Sequence, residues 1–452
     1  MNYSEQHSRN QELVLSIQTA LESNDLLTVR NHLAALHPSE LADLLESVPS
    51  EIRDELWVHI ELTAEGGVLA EANDRVRAAL LENMRPDEVA AATANLDSDD
   101  AADILQDLPE ARAAEVLRSM DELNRTRIAS VLSYSEDTAG GLMNVDMVTV
   151  RADVEAEVVL RYLRLLGRIP EKTDSLMVVD RENIYLGVLS LATLVAAASQ
   201  SYVGDLMTID AQGIVDSTNA VQVARVFEQR DLLSAAVVDS NGTLLGRITV
   251  DDVIDVIREH SEHSFMSAAG LDEEDDIFAP VLVSTQRRAM WLGINLATAF
   301  MAAWVIGRFE ATLEQFVALA ILMPVVASMG GIAGSQTLTI VIRGLALGHV
   351  GSANARLLLI RELGIGILNG LLWAVVVAII AGTWFANVQL GLIIGVAIII
   401  NLFVAAFSGA VIPLVLQRMN IDPALAGGVV LTTVTDVVGF VAFLGLATVF
   451  LL

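Results

Sequence analysis

The sequence predicts a multi-domain chain: an all-α superhelical N-terminal domain, a duplicated α/β unit, a connecting helix and a five-helix α transmembrane domain. Three observations predict it. Apolar or small residues recur every twelve positions over 36–132, a strand-and-helix pattern is written twice over 135–257, and charge almost vanishes beyond 284. The predicted divisions are 1–134, 135–257 (about 135–200 and 201–257), 258–284 for an acidic connecting helix or linker, and 285–452.

The twelve-residue markers are Leu36, Val48, Ile60, Ala72, Met84, Leu96, Leu108, Met120 and Leu132. Most are followed by a helix-start signal, as in LHPSELADLL, VPSEIRDEL, MRPDEVAAA, LDSDDAADIL and LPEARAAEVL. Proline beside acids suits a first helical turn, and the spacing leaves about eight residues per helix. Such helices are too short to stand alone and must stack as a superhelix. Within the array, Asp97, Asp99, Asp100 and Asp103 crowd one turn. A solvated helix start explains such acids, since they favour the positive end of the helix dipole, and cation binding is the alternative.

The second repeat reads LMNVDMVTV, SLMVVD and GVLSLATL from Leu142, Ser175 and Gly187, and returns as LMTIDAQGI, SAAVVD and GRITVDDV from Leu206, Ser234 and Gly246. Each copy predicts strand, helix, strand, tight turn, strand, helix, with Asn241-Gly242 as a hairpin signal in the second. This arrangement resembles a pair of CBS domains.

Beyond residue 284 five apolar runs are long enough to span a bilayer, near 289–309, 314–342, 360–385, 389–416 and 424–451. Gly330, Gly331 and Gly334 in the second leave a split helix, and a count of six, as an alternative. Arg287, Arg288, Arg343, Arg356, Arg361 and Arg418 all fall on one side of a five-span topology, which places that side in the cytoplasm and the C-terminus outside. The polar first ten residues carry no apolar signal segment, so the first 284 are expected in the cytoplasm.

Asp436 is the ionisable residue deepest in an apolar run, in LTTVTDVVG with Thr432, Thr433 and Thr435 and no nearby Lys or Arg. An intramembrane carboxylate is costly and marks a functional site, and oxygen ligands around it ask for a hard cation such as magnesium. A protonated Asp bonded to a neighbouring helix is the alternative. One carboxylate per chain fits a divalent ion poorly, so a two-fold dimer bringing two Asp436 together is expected. Gln336 is the preferred polar candidate of the second span, where Ser335, Thr337 and Thr339 accompany it, while Asn295, Asn369 and Asn401 read as interhelical hydrogen-bonding groups.

Charge and composition narrow the function classes. The whole chain carries −30, and residues 285–452 hold seven arginines and five acids, a net of +2, which leaves −32 on the first 284. That surface repels nucleic acid and favours cations, or belongs to a halophile-like solvation shell. The absence of cysteine excludes disulfides, thiolate metal sites and thiol redox chemistry. A phosphate-binding loop, an HExxH segment and metal-ligand spacing among the seven histidines are all missing, so no enzyme is expected.

A repeat-helix domain ending in YSEDTAGGLM, a CBS pair, an acidic connector and five spans ending in DPALAGGVVLTTVTDVVG together resemble the MgtE family of magnesium channels over nearly the whole chain. The resemblance implies a homodimer in the inner (plasma) membrane, a pore on the two-fold axis with magnesium bound at Asp436, and cytoplasmic domains that close it when intracellular magnesium is abundant. It places sensor acids at Asp99 and Asp103, at Asp216 and Asp231 in the second CBS repeat, and at Asp252 and Asp255 on the connecting helix, with Glu259 and Glu262 farther along. There, His260 and His263 stand where acids are common, and in the second span Gly330-Gly331-Ile332-Ala333-Gly334-Ser335-Gln336 has Ile332 where many members of the family have Asn in a GGNxGxQ segment. Gly246, Thr249 and Asp252 match the CBS nucleotide segment, so ATP or another adenosine nucleotide is a possible regulator; the first repeat has Thr193 in place of the acid. A nucleotide-sensing membrane receptor and an ion-coupled divalent-cation transporter remain the alternatives.

Overall fold

The computed structural model describes residues 14–17, 19–21, 23–170, 172–209, 213–268, 281–351, 353–419 and 421–452. The chain divides into two compact units, and among the described residues the first ends at Ser261 and the second comprises 262–268 and the residues from Val281 to Leu452.

After helical residues at 14–17 and 19–21, the described part of the first unit runs through short helices α1 (Leu26–Leu33), α2 (Pro38–Glu46), α3 (Ser50–Trp57), α4 (Leu62–Glu71), α5 (Asp74–Asn83), α6 (Pro86–Thr93), α7 (Ser98–Gln106), α8 (Glu110–Ser119) and α9 (Glu122–Val131). Each has eight to ten residues. Helices two apart in sequence pack together, α2 on α4, α4 on α6, α6 on α8 and α7 on α9, which generates the superhelix. The twelve-residue markers lie at the joints between helices, where they sink into or pack against one continuous apolar core. Sequence-coded caps set the register. The Glu40 and Glu88 carboxylates accept from the His37 and Arg85 amides at 2.9 and 2.8 Å, and Pro38 and Pro86 occupy the first turns.

The duplicated region follows as β1 (Thr149–Arg151), α10 (Ala156–Leu166), β2 (Ser175–Val179), β3 (Tyr185–Ser190), α11 (Leu191–Ala196) and α12 (Val203–Leu206), then β4 (Ile214–Val215), α13 (Ala220–Arg230), β5 (Ser234–Val238), β6 (Leu244–Thr249) and α14 (Val250–Ala268). In each copy a parallel pair is extended by an antiparallel strand, giving orders β1-β2-β3 and β4-β5-β6. The registers coincide, with Ser175 opposite Ser190 and Ser234 opposite Thr249. The expected hairpin turn forms at Gly242, whose φ of +85° favours glycine. Met177, Val179, Ala236 and Leu244 join the copies in a shared apolar seam.

α14 begins at Val250, inside the second repeat, so the connecting helix expected from 258 continues the repeat's own closing helix. Residues 269–280 of the acidic connector lie outside the described residues.

The second unit contains α15 (Val281–Gly307), a short α16 (Glu310–Gln315), α17 (Val317–Ala346), α18 (Ala355–Trp384), α19 (Val388–Arg418) and α20 (Pro423–Leu451). Five of these are long and apolar enough to cross a membrane. α17 runs unbroken through Gly330, Gly331 and Gly334, so the alternative of six spans falls. The reason is packing: α17 lies against α19 and α20, and the side chains of Asn401 and Leu431 fill the space beside Gly330 and Gly334, while Gly331 faces the open side of the helix. Gly330 admits Asn401, whose fully buried amide donates to the Val326 carbonyl at 2.8 Å; a Cβ at Gly330 would meet that amide nitrogen at 2.3 Å.

Candidate functional sites: a carboxylate cluster and a membrane aspartate

The cytoplasmic cluster is built by two helix starts. The first turn of α7 supplies Asp97, Asp99 and Asp100, whose carboxylate oxygens can all lie within 4.8 Å of one another. The first turn of α14 supplies Asp251 and Asp252. A tie between the helical array and the CBS pair stands beside α7: the Ser98 hydroxyl accepts from the Val145 amide at 2.9 Å and bonds the Asn144 side-chain oxygen at 3.2 Å.

Burial and mutual repulsion dominate the electrostatics. Asp99 is 7% exposed. Removal from water pushes its pKa well up, with the charges of Asp252, Asp100 and Asp97 adding to it. The same two causes raise Asp100 to about 6 and Asp252 to about 7. Asp252 accepts the Thr249 amide at 3.0 Å and its hydroxyl at 2.9 Å, whereas the Asp99 Oδ1 atom is buried with no hydrogen-bond partner. A buried oxygen of this kind, among carboxylates that cannot all be charged together, suits a hard cation.

Asp103 faces a neighbouring group of charges. Removal from water and the charge of Glu136 push it up to about 8, although Arg77 opposes the shift. Arg77 itself bonds Asp107 and, at 2.7 Å, Asp74. Glu259 is raised to about 7, by removal from water and then by Asp74 and Asp255, and Asp255 pairs with Arg258 at 3.3 Å.

The structure thus joins Asp99 to Asp252, and Asp103 to the neighbourhood of Glu259. It places Asp216 at the end of β4, where its amide bonds the Val238 carbonyl, and Asp231 at the left-handed C-cap of α13. Among the described residues no hydrogen bond or ion pair links either to the cluster. Glu262 is exposed on α14. Glu136 and Lys172 were not legible as cluster members, because each arrives from a loop far off in sequence.

The nucleotide segment is tightly engaged. A Cβ on Gly246 would lie 2.9 Å from the Asn144 carbonyl, and the Thr249 hydroxyl bonds both Asp251 and Asp252. The glycine therefore serves close approach of the chain's own backbone, and the threonine serves the acid cluster.

In the second unit Asp436 is half-buried on α20. Its stripe, at intervals of four, includes exposed Thr432 and Gly428, which has no neighbour within 4 Å. The Thr432 and Thr433 hydroxyls donate to backbone carbonyls of their own helix, at 3.1 and 2.7 Å, which leaves oxygen lone pairs for a ligand. Among the described residues no basic side chain pairs with Asp436. On α17, Ser328, Gly331, Ile332, Ser335, Gln336, Thr339 and Ile340 line an open groove of about 780 Å³. All these residues lie on one helix face, so a single chain leaves the groove one-sided.

Asn401 makes the interhelical hydrogen bond its residue type predicts, while Asn295 and Asn369 are exposed. Glu362 stands near the start of the predicted third span. α18 begins earlier, at Ala355, and carries it inward to 4% exposure, where it accepts the Thr337 hydroxyl at 3.1 Å. His263 on α14 lies 3.9 Å from Asp422 at the start of α20.

A stacked-helix domain, a CBS pair and an apolar five-helix bundle with an intramembrane carboxylate define a polytopic membrane transporter with an attached cytoplasmic regulatory unit. The MgtE family model, described as divalent cation transporter, matches residues 323–446; that of the MgtE intracellular N domain matches 36–137, and that of the CBS domain matches 203–259. The magnesium transporter MgtE of Thermus thermophilus is 30% identical over 98% of this chain and 99% of its own, and that of Enterococcus faecalis 31% identical over 98% and 97%. Among solved structures, the cytosolic domain of the Mg2+ channel MgtE in complex with ATP aligns at 31% identity with a TM-score of 0.50, covering 54% of this chain and 99% of that one. The chain belongs to the MgtE family of magnesium transporters, a class of membrane proteins that is not enzymatic.

Proposed function

We propose that this protein is a magnesium-selective channel for uptake across the inner membrane, closed by intracellular magnesium bound to its acidic helical and CBS domains. The observation that carries the pore half is Asp436, a carboxylate without a basic partner among the described residues, on an open stripe of an apolar helix. Thr432, Thr433 and Gln336 are proposed as its polar companions in holding hydrated magnesium. The one-sided groove on α17 supports a homodimer, because exposed Ser335, Gln336 and Thr339 would otherwise face lipid. In this reading the first unit is cytoplasmic, the C-terminus faces outward, and the functional divisions fall at 134/135, 257/258 and 284/285.

The orphaned Asp99 oxygen supports the sensor half. Magnesium shared among Asp97, Asp99, Asp100 and Asp252, with Asp103, Asp255 and Glu259 beside them, would hold α7 against α14 and stabilise whichever conformation keeps them together. Ligand shifts such an equilibrium only through its differential affinity for the two states. Asp216, Asp231 and Glu262 are retained as separate sensor positions on the family pattern alone. Nucleotide is a second regulator in this proposal, supported by the ATP-bound relative at 31% identity.

The test is magnesium flux into liposomes with and without an imposed potential. A channel responds to the potential without a coupling ion, whereas flux that requires a sodium or proton gradient overturns the channel assignment. Protease protection of the first unit by magnesium checks the sensor. Protection by adenosine nucleotide alone, with no response to magnesium, would favour the receptor alternative for that half.

A further inference from the structure

Lys172 stands in the loop before β2 with a left-handed φ of +54°. The two repeats are offset by 59 residues at Ser175 and Ser234, whose hydroxyls lie 3.2 Å apart. The matching position in the second repeat is Asp231, with φ +51°, so equivalent turns of the two copies carry opposite charges. Arg247, 2% exposed, anchors the loop by donating to the Lys172 carbonyl at 3.4 Å and the Thr173 hydroxyl at 3.2 Å.

From that anchored loop the Lys172 ammonium donates to Asp251, the neighbour of Asp252 on the first turn of α14. Burial works against the ammonium, but the Asp251 hydrogen bond and charge outweigh it, with Asp252 and Asp100 behind them, and its pKa is raised. Its charge in turn opposes the rise at Asp100. A cation of the chain itself therefore stands at the edge of the carboxylate cluster, and its side chain remains 53% exposed.

We propose that Lys172 is a tethered surrogate for the divalent ion, a built-in competitor that sets the magnesium concentration at which the sensor fills. This rests on the sensor reading above. A lysine ammonium is a compact point charge on a flexible four-carbon stem, so it neutralises part of the cluster when magnesium is scarce and can swing into solvent when the ion enters. Tethering gives it an effective concentration on the order of millimolar, which no dilution removes. A single charge loses to a double one once free magnesium reaches a comparable range.

The test compares wild type, Lys172→Gln and Lys172→Arg as full-length protein in detergent, following protease protection against free magnesium. Removing the competitor should lower the half-protecting concentration about tenfold in Lys172→Gln, while Lys172→Arg, which keeps the charge, stays near wild type. Melting gives a second readout: Lys172→Gln should melt lower than wild type in EDTA and recover fully in saturating magnesium, because the ion then supplies the missing charge. A loss of melting temperature equal with and without magnesium would mean a mere structural clamp and overturn the proposal, as would a half-protecting concentration at or above wild type in Lys172→Gln. If magnesium fails to protect wild type at all, the sensor reading falls and this inference with it; normal wild-type protection with an unshifted variant sinks this inference alone.

Discussion

In the cytoplasmic unit Asp97, Asp99 and Asp100 gather at the start of α7 and share repulsion with Asp252, which Thr249 holds beside the Lys172-bound Asp251, all within one chain, whereas in the membrane unit Asp436 stands alone on an open helix face. Both regions keep carboxylates away from water, and they resolve the cost differently. The cluster spreads it over protons, a lysine and the proposed ion, so losing one member should change its response by degrees. The membrane stripe has no such reserve within a chain, so losing its one carboxylate should be all-or-none.

The largest expected effect breaks the comparison at the membrane end. Asp436→Ala or Asp436→Asn should abolish magnesium flux into liposomes while the protein still inserts and dimerises; near-normal flux in either variant would remove Asp436 from the mechanism. At the other end, deleting residues 1–132 removes Asp97, Asp99, Asp100 and Asp103 together. Flux should persist, and half-inhibition by magnesium on the cytoplasmic side should move up about tenfold or more, since the surviving acids of α14 keep only half of the site. Unchanged inhibition would show that the cluster does not gate.

A third prediction sharpens the contrast through pH. Asp103, Asp252 and Asp100 have folded pKa values raised to about 8, 7 and 6, against about 4 when unfolded. The folded cluster therefore holds protons that the unfolded chain has released, and ion-free stability should fall as pH rises from about 4 to about 8. Magnesium must displace those protons, so its half-protecting concentration should rise about tenfold between pH 8 and pH 6. A pH-independent midpoint would mean that these acids are not ligands.

The smallest effect concerns packing alone. Gly330→Ala would set a methyl against the Asn401 amide, and overpacking of this kind costs about 1–3 kcal/mol. A lower melting temperature in detergent, with magnesium protection of the first unit unchanged, is expected.

Periodicity made much of this architecture legible without coordinates. The twelve-residue spacing announced two-turn helices because each marker must be buried at a joint, and the doubled strand pattern announced the CBS pair because Gly242 and its neighbours carry their turn chemistry locally. Asp436 was legible because a carboxylate amid apolar residues contradicts its surroundings whatever the fold. Other features depended on contacts that no local pattern encodes. The sequence left α17 open to a break at its glycines, and only the seating of Asn401 beside Gly330 shows why the helix continues. Glu362, near the start of the third apolar run, reaches Thr337 only because α18 begins earlier, at Ala355. The meeting of Asp99 with Asp252, and of Lys172 with Asp251, joins residues far apart in the chain. Local sequence sets which segments form and which groups they carry, but the distances between charges on different segments, and hence their pKa values, are decided by tertiary packing.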